Sequence, residues 1–280
     1  MLLQFYRKNI MVKNLLIFIF FISIGLNAKL FAQGTIMIEP KRIVFNKSEL
    51  KKIITITNTG DIPSVFSVSF EQRSMTEDGN FITITKPEPG QKFADRHLRI
   101  YPRRSTLGVG ESQVVVLQRR RNNKMENGEY RSHLTFMSSV SIAPLEIKSK
   151  KDTVAFSTRI TTAFGMSIPI IIRAGEVSVS ASITDIKLED TLLTFNLNRK
   201  GNISIFGDLL IQYIPEQGEP IAIKKSSGFG VYTTIEKRIM KFKLDKIADI
   251  NINKGSIKVI YKAPNGVKQE VYAEETLLLN

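Results

Sequence analysis

The residues able to do chemistry are few. The 280-residue chain has no cysteine, which removes thiolate nucleophiles, disulfides and cysteine metal sites. Its two histidines, His97 and His133, lie in separate predicted strands with no ligand-spaced partner, so imidazole metal or acid–base chemistry has little to work with. P-loop, GxSxG and HExxH spacings are missing, and the carboxylates are scattered without a paired-acid pattern. What remains is cationic: Lys and Arg number 40 against 26 Asp and Glu, a formal charge of +14. Arg42 stands directly before Ile43-Val44-Phe45 and by itself reads as an exposed charge on a strand face. Arg119-Arg120-Arg121 with Lys124 forms a basic run beside a turn. It reads as a solvated turn or as attraction to acidic surfaces rather than as a nucleic-acid site, because the chain begins with an export signal. Binding, not catalysis, is the expectation, with no cofactor, no metal and no small-molecule substrate.

That export signal is the run Leu15–Leu26, preceded by Arg7, Lys8 and Lys13 and followed by a small-residue site ending at Ala32. The apolar run is shorter than the roughly 20 residues a spanning helix needs. Residues 1–32 are therefore expected to be removed, lowering the charge to +10 and placing the protein outside the cytoplasm.

From Gly34 onward short period-two runs alternate with Gly, Asn, Asp and Pro. Ile53–Thr57 leads into an Asn58-Thr59-Gly60-Asp61 turn. Phe66, Val68 and Phe70 share one strand face, and Tyr130, Ser132, Leu134 and Phe136 alternate with Arg131, His133 and Thr135. A second strand series starts at Val177, after Arg173-Ala174-Gly175-Glu176, and Arg199–Asn202 reads as a turn within it. Pro264-Asn265-Gly266 signals a hairpin. The expected fold is all-β, with a first sandwich over 33–173 and a second over 174–280 joined by a short hinge; the Cys…Trp…Cys core of antibody domains is excluded.

The longest alternation, residues 152–173, sets Val154, Phe156, Ile160, Thr162, Phe164, Met166 and Ile168 against small or polar neighbours. At about 3.3 Å per residue it would extend beyond about 50 Å, whereas typical strands span roughly 17–20 Å. Such a strand is either central with a hairpin arm folded on its own domain, or an edge able to complete another protein's sheet.

Several segments in order resemble the PapD-like periplasmic chaperones of pilus and fimbrial assembly. They are Glu39–Phe45, Lys52–Gly60, Leu98–Pro102 with Leu107–Gln113, Gly128–Leu134, Ser167–Arg173 and Arg199–Asp208. The resemblance spans most of residues 35–215 and loosens beyond. It implies two immunoglobulin-like β-sandwiches in a boomerang, and a periplasmic, non-enzymatic chaperone that caps secreted pilin-like subunits by lending them a strand. An outer-membrane usher is implied as a further partner. Arg42 then matches the arginine that grips the client's terminal carboxylate. The second cation of that pair would fall at Pro169, so the anchor departs from the family pattern. Ile160, Thr162 and Phe164, extended by Val154 and Phe156, match the inserted donor residues. Glu129 and Arg173 match an interdomain salt bridge, and 138–153 would be a long connection. The rival readings are a structural or adhesive extracytoplasmic protein of tandem sandwiches and a secreted hydrolase, which would require a polar pocket.

Overall fold

The computed structural model describes residues 36–46, 48–121, 124–140, 163–244, 254–264 and 270–279. The signal segment and Val154, Phe156, Ile160 and Thr162 lie outside the described residues. The first half carries β1 (Ile36–Glu39), β2 (Ile43–Phe45), β3 (Lys51–Asn58), β4 (Ser64–Glu71), β5 (Arg73–Met75) and β6 (Phe81–Thr83). It continues with β7 (Leu98–Tyr101), β8 (Arg104–Leu107), β9 (Ser112–Arg119), β10 (Gly128–Val140) and β11 (Ala163–Ala174). The second half carries β12 (Val179–Glu189), β13 (Leu192–Gly201), β14 (Ile205–Ile214), β15 (Ile221–Val231), β16 (Lys237–Lys243), β17 (Gly255–Lys262) and β18 (Val271–Leu279). Among the described residues the only helix is a short 3-10 turn at Asp95–His97, and no helix is long and apolar enough to cross a membrane. The all-β expectation holds.

In the first half a four-stranded sheet, β1-β3-β9-β7, faces a five-stranded one, β2-β11-β10-β4-β8. Alternation explains the packing: Ile54, Ile56, Val115 and Leu117 from one sheet meet Phe66, Leu134, Phe136, Ile168, Ile170 and Ile172 from the other in one buried cluster. Two of the chain's crossings from one sheet to the other, between β1 and β2 and between β7 and β8, pass through a cis X-Pro bond, Glu39–Pro40 and Tyr101–Pro102. Proline has no N–H to continue a ladder, so a strand that must leave its sheet can leave there. The Asn58 turn is tied down by its own fully buried side chain. Its Nδ2 donates to the carbonyls of Ile62, Leu107 and Gly108 at 2.9, 3.1 and 3.0 Å, and its Oδ1 accepts from Gly60 N at 3.0 Å.

The second half pairs β12-β13-β16 with β15-β14-β17-β18 around Leu193, Phe195, Leu197, Leu209, Ile211, Val259 and Tyr261. Its boundaries differ from the sequence reading. β13 continues through Gly201, so the reversal placed at Arg199–Asn202 occurs after it. β17 and β18 are antiparallel, as the Pro264 signal requires, while Asn265 and Gly266 lie outside the described residues.

One further expectation changes. Residues 138–140 are not part of a connection: they continue β10, where Ser138, Ser139 and Val140 pair with Phe66, Val65 and Ser64. Of the long strand over 152–173, the described part is β11, from Ala163 to Ala174. It pairs with β10 along its whole length. Its other edge carries β2, parallel, only at Ile170–Ile172; among the described residues no strand covers that edge from Ala163 to Pro169. Phe164 sits opposite Ser138 in β11, its side chain outside the described residues.

Candidate functional site

The halves of the chain meet on the outer face of the five-stranded sheet. Glu129, Arg131 and His133 occupy the face of β10 opposite Tyr130, Ser132 and Leu134, and all three are buried, at 2, 2 and 3% exposure. Phe81 of the β5–β6 hairpin lies against Arg131 and His133, and Tyr232, which follows β15, lies against Arg131; Met75, Ile171 and Tyr232 form a small apolar cluster at the junction.

Ser204, immediately before β14, is the hub of this junction. Its backbone N–H and hydroxyl donate to Glu129 Oε2 at 2.9 and 2.6 Å. Its carbonyl accepts from Arg173 Nη2 at 3.1 Å, and its hydroxyl oxygen accepts from Arg42 Nη2 at 3.3 Å. Arg173 Nε stands 3.9 Å from Glu129 Oε2, so the two residues matched to a salt bridge do come together. Across the junction their partner is a serine rather than an acid.

Arg42 sits at the sheet change between β1 and β2, which turns it away from either ladder. Its Nη1 donates to the Tyr232 hydroxyl at 2.9 Å, and its guanidinium lies 4.5 Å over the Phe206 ring and 5.5 Å from the Tyr232 ring. Arg131 stacks on the other side of the junction, 4.0 Å from the Tyr232 ring centroid, and donates through Nη2 to the Arg73 carbonyl at 3.1 Å. Burial lowers the pKa values of Arg131 and Arg173, with the Glu129 carboxylate working in the opposite direction in both cases. Both stay cationic, as arginines do.

Arg42 and Arg173 share one wall of a cleft of about 590 Å³, with Ser204, Phe206, Val179, Ala181 and Tyr272 around it. The position expected to hold the second cation, Pro169, lies opposite His133 within the sheet and does not line this cleft. Arg173 supplies the second positive charge there instead. Arg173 is paired with the buried Glu129 and the exposed Glu270 stands at the rim, so the guanidinium best placed to grip a monoanion through charge-assisted hydrogen bonds is that of Arg42.

No family model matches the chain, and no curated protein matches it in sequence. Among solved structures, the YadV chaperone overlaps it over 88% of this chain and 100% of its own at 11% identity and a TM-score of 0.45. The complex of the chaperone CsuC with the tip subunit CsuE from the archaic chaperone-usher Csu pili of Acinetobacter baumannii gives 85% and 97% at 12% identity and a TM-score of 0.43. The class 5 fimbriae chaperone CfaA gives 88% and 99% at 14% identity and a TM-score of 0.42. Overlaps of this depth describe a general likeness, and the site stands on its own geometry.

That geometry does not favour catalysis by the histidines. Burial, reinforced by Arg131 and Arg73, pushes the His133 imidazole down to about 3, so it is neutral and enclosed at physiological pH. His97, in the 3-10 turn, packs edge-on against Tyr130 at 4.9 Å. Among the described residues no three His, Asp or Glu side chains gather as metal ligands. In the basic run, Arg119 Nη1 donates to the Asn46 and Glu49 carbonyls at 3.2 and 3.4 Å, a structural use. Ser204, Tyr232, Phe206 and Arg131 have no role in the sequence reading. The one available signal was the Arg199–Asp208 segment, which contains Ser204 and Phe206.

Proposed function

We propose that this protein is an extracytoplasmic chaperone, exported by its N-terminal signal, that holds secreted pilin-like subunits through a two-point contact. The chain is read as two domains, 33–173 and 174–280, with no enzymatic step. One contact is the client's terminal carboxylate on Arg42 and Arg173. The other is strand addition along β11, extended by the donor residues Val154, Phe156, Ile160, Thr162 and Phe164. The single observation carrying the proposal is that the cleft with its two guanidiniums adjoins β2 and β11, whose outer edge runs on past β2. The backbone groups of such an edge bind an extended partner without regard to its sequence, while the carboxylate fixes the register. Glu129 and Arg173, joined through Ser204, hold the two halves in place around the cleft. The ordered sequence resemblance to pilus-assembly chaperones agrees with this reading, and an usher would be the acceptor on release.

The test is co-expression with a pilin-like secreted subunit that aggregates alone. Wild type should keep the subunit soluble, and the Arg42→Ala/Phe164→Ser double variant should lower its recovery at least fivefold. Unchanged client recovery would sink the proposal and favour a structural or adhesive protein, which labelling of the protein at the cell surface would then reveal.

A further inference from the structure

The cleft is far larger than a carboxylate requires. Its volume of about 590 Å³ falls within the roughly 300–1,000 Å³ of pockets that enclose whole small ligands. Apart from the guanidiniums, Ser180, Ser204 and Glu270, its lining is apolar: Val179 and Ala181 at the start of β12, Ile205 and Phe206 on β14, Val271 and Tyr272 on β18. These residues come from three strands: Ile205 belongs to the second core and Val179, Ala181 and Tyr272 pack against it, while Phe206 and Val271 stand outside it. Ile205 is buried, Phe206 and Tyr272 are half-buried, and Val271 is 56% exposed. Charge and aromatic surface adjoin, since the Arg42 guanidinium lies over the Phe206 ring, and Val179, Ala181, Val271 and Tyr272 line the same cavity.

We propose that this wall is a specificity pocket for the side chain of the partner's last residue, selecting an aromatic or large aliphatic C-terminus. The proposal rests on the carboxylate reading above and deepens it. A monoanion is called for because Glu129 already offsets Arg173, leaving the Arg42 guanidinium as the anchor. A chain terminus supplies that charge and, on the same carbon, a side chain within reach of the apolar wall. Glu270 at the rim opposes an acidic side chain in that place. Burying an aromatic ring there would strengthen binding on top of the charge contact.

Binding of octapeptides identical except for their last residue to the full chain, by titration calorimetry, tests this. A peptide ending in Phe with a free carboxylate should bind at least about tenfold more tightly than one ending in Ala, about 1.4 kcal/mol. The Ala181→Phe variant, which fills the pocket, and Val271→Asp, at an exposed position that tolerates charge, should each bring the Phe/Ala ratio near one. Circular dichroism verifies that both remain folded. Equal binding of Phe- and Ala-ended peptides would overturn the pocket while leaving the carboxylate anchor standing. Tightest binding of a Lys-ended peptide would overturn it too, by assigning selection to Glu270. If the Phe peptide binds as well when amidated, or none binds, the carboxylate reading itself fails and the pocket falls with it.

Discussion

Burying a guanidinium or an imidazole demands compensation, and the junction supplies it unevenly. Arg131 obtains one hydrogen bond and the face of Tyr232. His133 obtains the edge-on ring of Phe81 at 5.1 Å and stays neutral. That neutrality has a consequence for stability. In the unfolded chain the imidazole takes a proton below about pH 6.5, whereas in the fold it does so only near 3. The unfolded state therefore binds more protons across that window, and stability must fall as pH falls through it. From pH 7 to pH 5 the His133 contribution is on the order of 2 kcal/mol. His97, lowered first by burial, adds in the same direction. Glu71 lies outside this range. Burial opposes its charge, but hydrogen bonds from Thr135, Arg73 and Thr83 outweigh that and hold it near 2, so its stabilisation is lost only below its ordinary 4.5. Urea unfolding at pH 7, 6 and 5 should give a steep decline for wild type and a shallower one for His133→Gln; parallel declines would contradict the assignment. At this scale the sequence was legible only where a residue's role was local. Arg42 was found through the family resemblance of its segment, Glu39–Phe45, in which it stands before the Ile-Val-Phe run. Arg131 and His133 look like solvent-facing partners of an amphipathic strand, because what covers them lies some fifty residues before and a hundred after in the chain.

The cover is an element that the sequence hides. β5 and β6 have three residues each, too short for a period to register. The turn between them is nevertheless built closely, with Gly79 N donating to Thr76 O at 2.8 Å and Thr76 N to Asn80 O at 2.9 Å. At the tip the Glu77 carbonyl accepts from Ile239 N on β16 at 2.8 Å, so the hairpin is hydrogen-bonded to the second half. Gly79 has φ +81°, and a Cβ there would collide with the Arg238 guanidinium. That guanidinium cannot readily swing aside, since its Nη1 donates to the Gly230 carbonyl at 2.9 Å and the group lies over the Phe229 ring. Gly79→Ala should therefore cost about 1–3 kcal/mol in denaturant unfolding. Glu77→Ala should cost under about 1 kcal/mol, because it removes only a half-exposed ion pair with Lys237 and keeps the backbone bond. If the two variants were equally mild, the hairpin would not be a strut. β10 and β11 show the reverse case: their alternation made them the most legible elements, and the correction is that β10 runs on to Val140.

For the whole molecule the question is whether two apolar cores, each large enough to be cooperative, unfold together. Each was foreseeable from alternation, since Leu134 and Phe136, or Leu193 and Phe195, sit on faces that a sandwich must bury. Their coupling was not foreseeable, because it runs through Tyr232, a single residue between strand runs whose neighbours come from both halves. Its ring carries Arg131 at 4.0 Å, approaches Phe81 at 5.8 Å, and packs with Met75 and Ile171, while its hydroxyl accepts from Arg42. Removing it would cost on the scale of other large-to-small core changes, about 3–5 kcal/mol, and would leave the Arg131 guanidinium buried without its ring. Nearly all of that loss falls on the junction and little on either core. Scanning calorimetry of wild type should show one endotherm with equal calorimetric and van't Hoff enthalpies. Tyr232→Ala should show two, each core melting by itself, with total enthalpy reduced only modestly. Two endotherms in the wild type would mean that the junction does not couple the cores, and a cleft formed between loosely joined halves could not hold Arg42 and Arg173 at a fixed spacing.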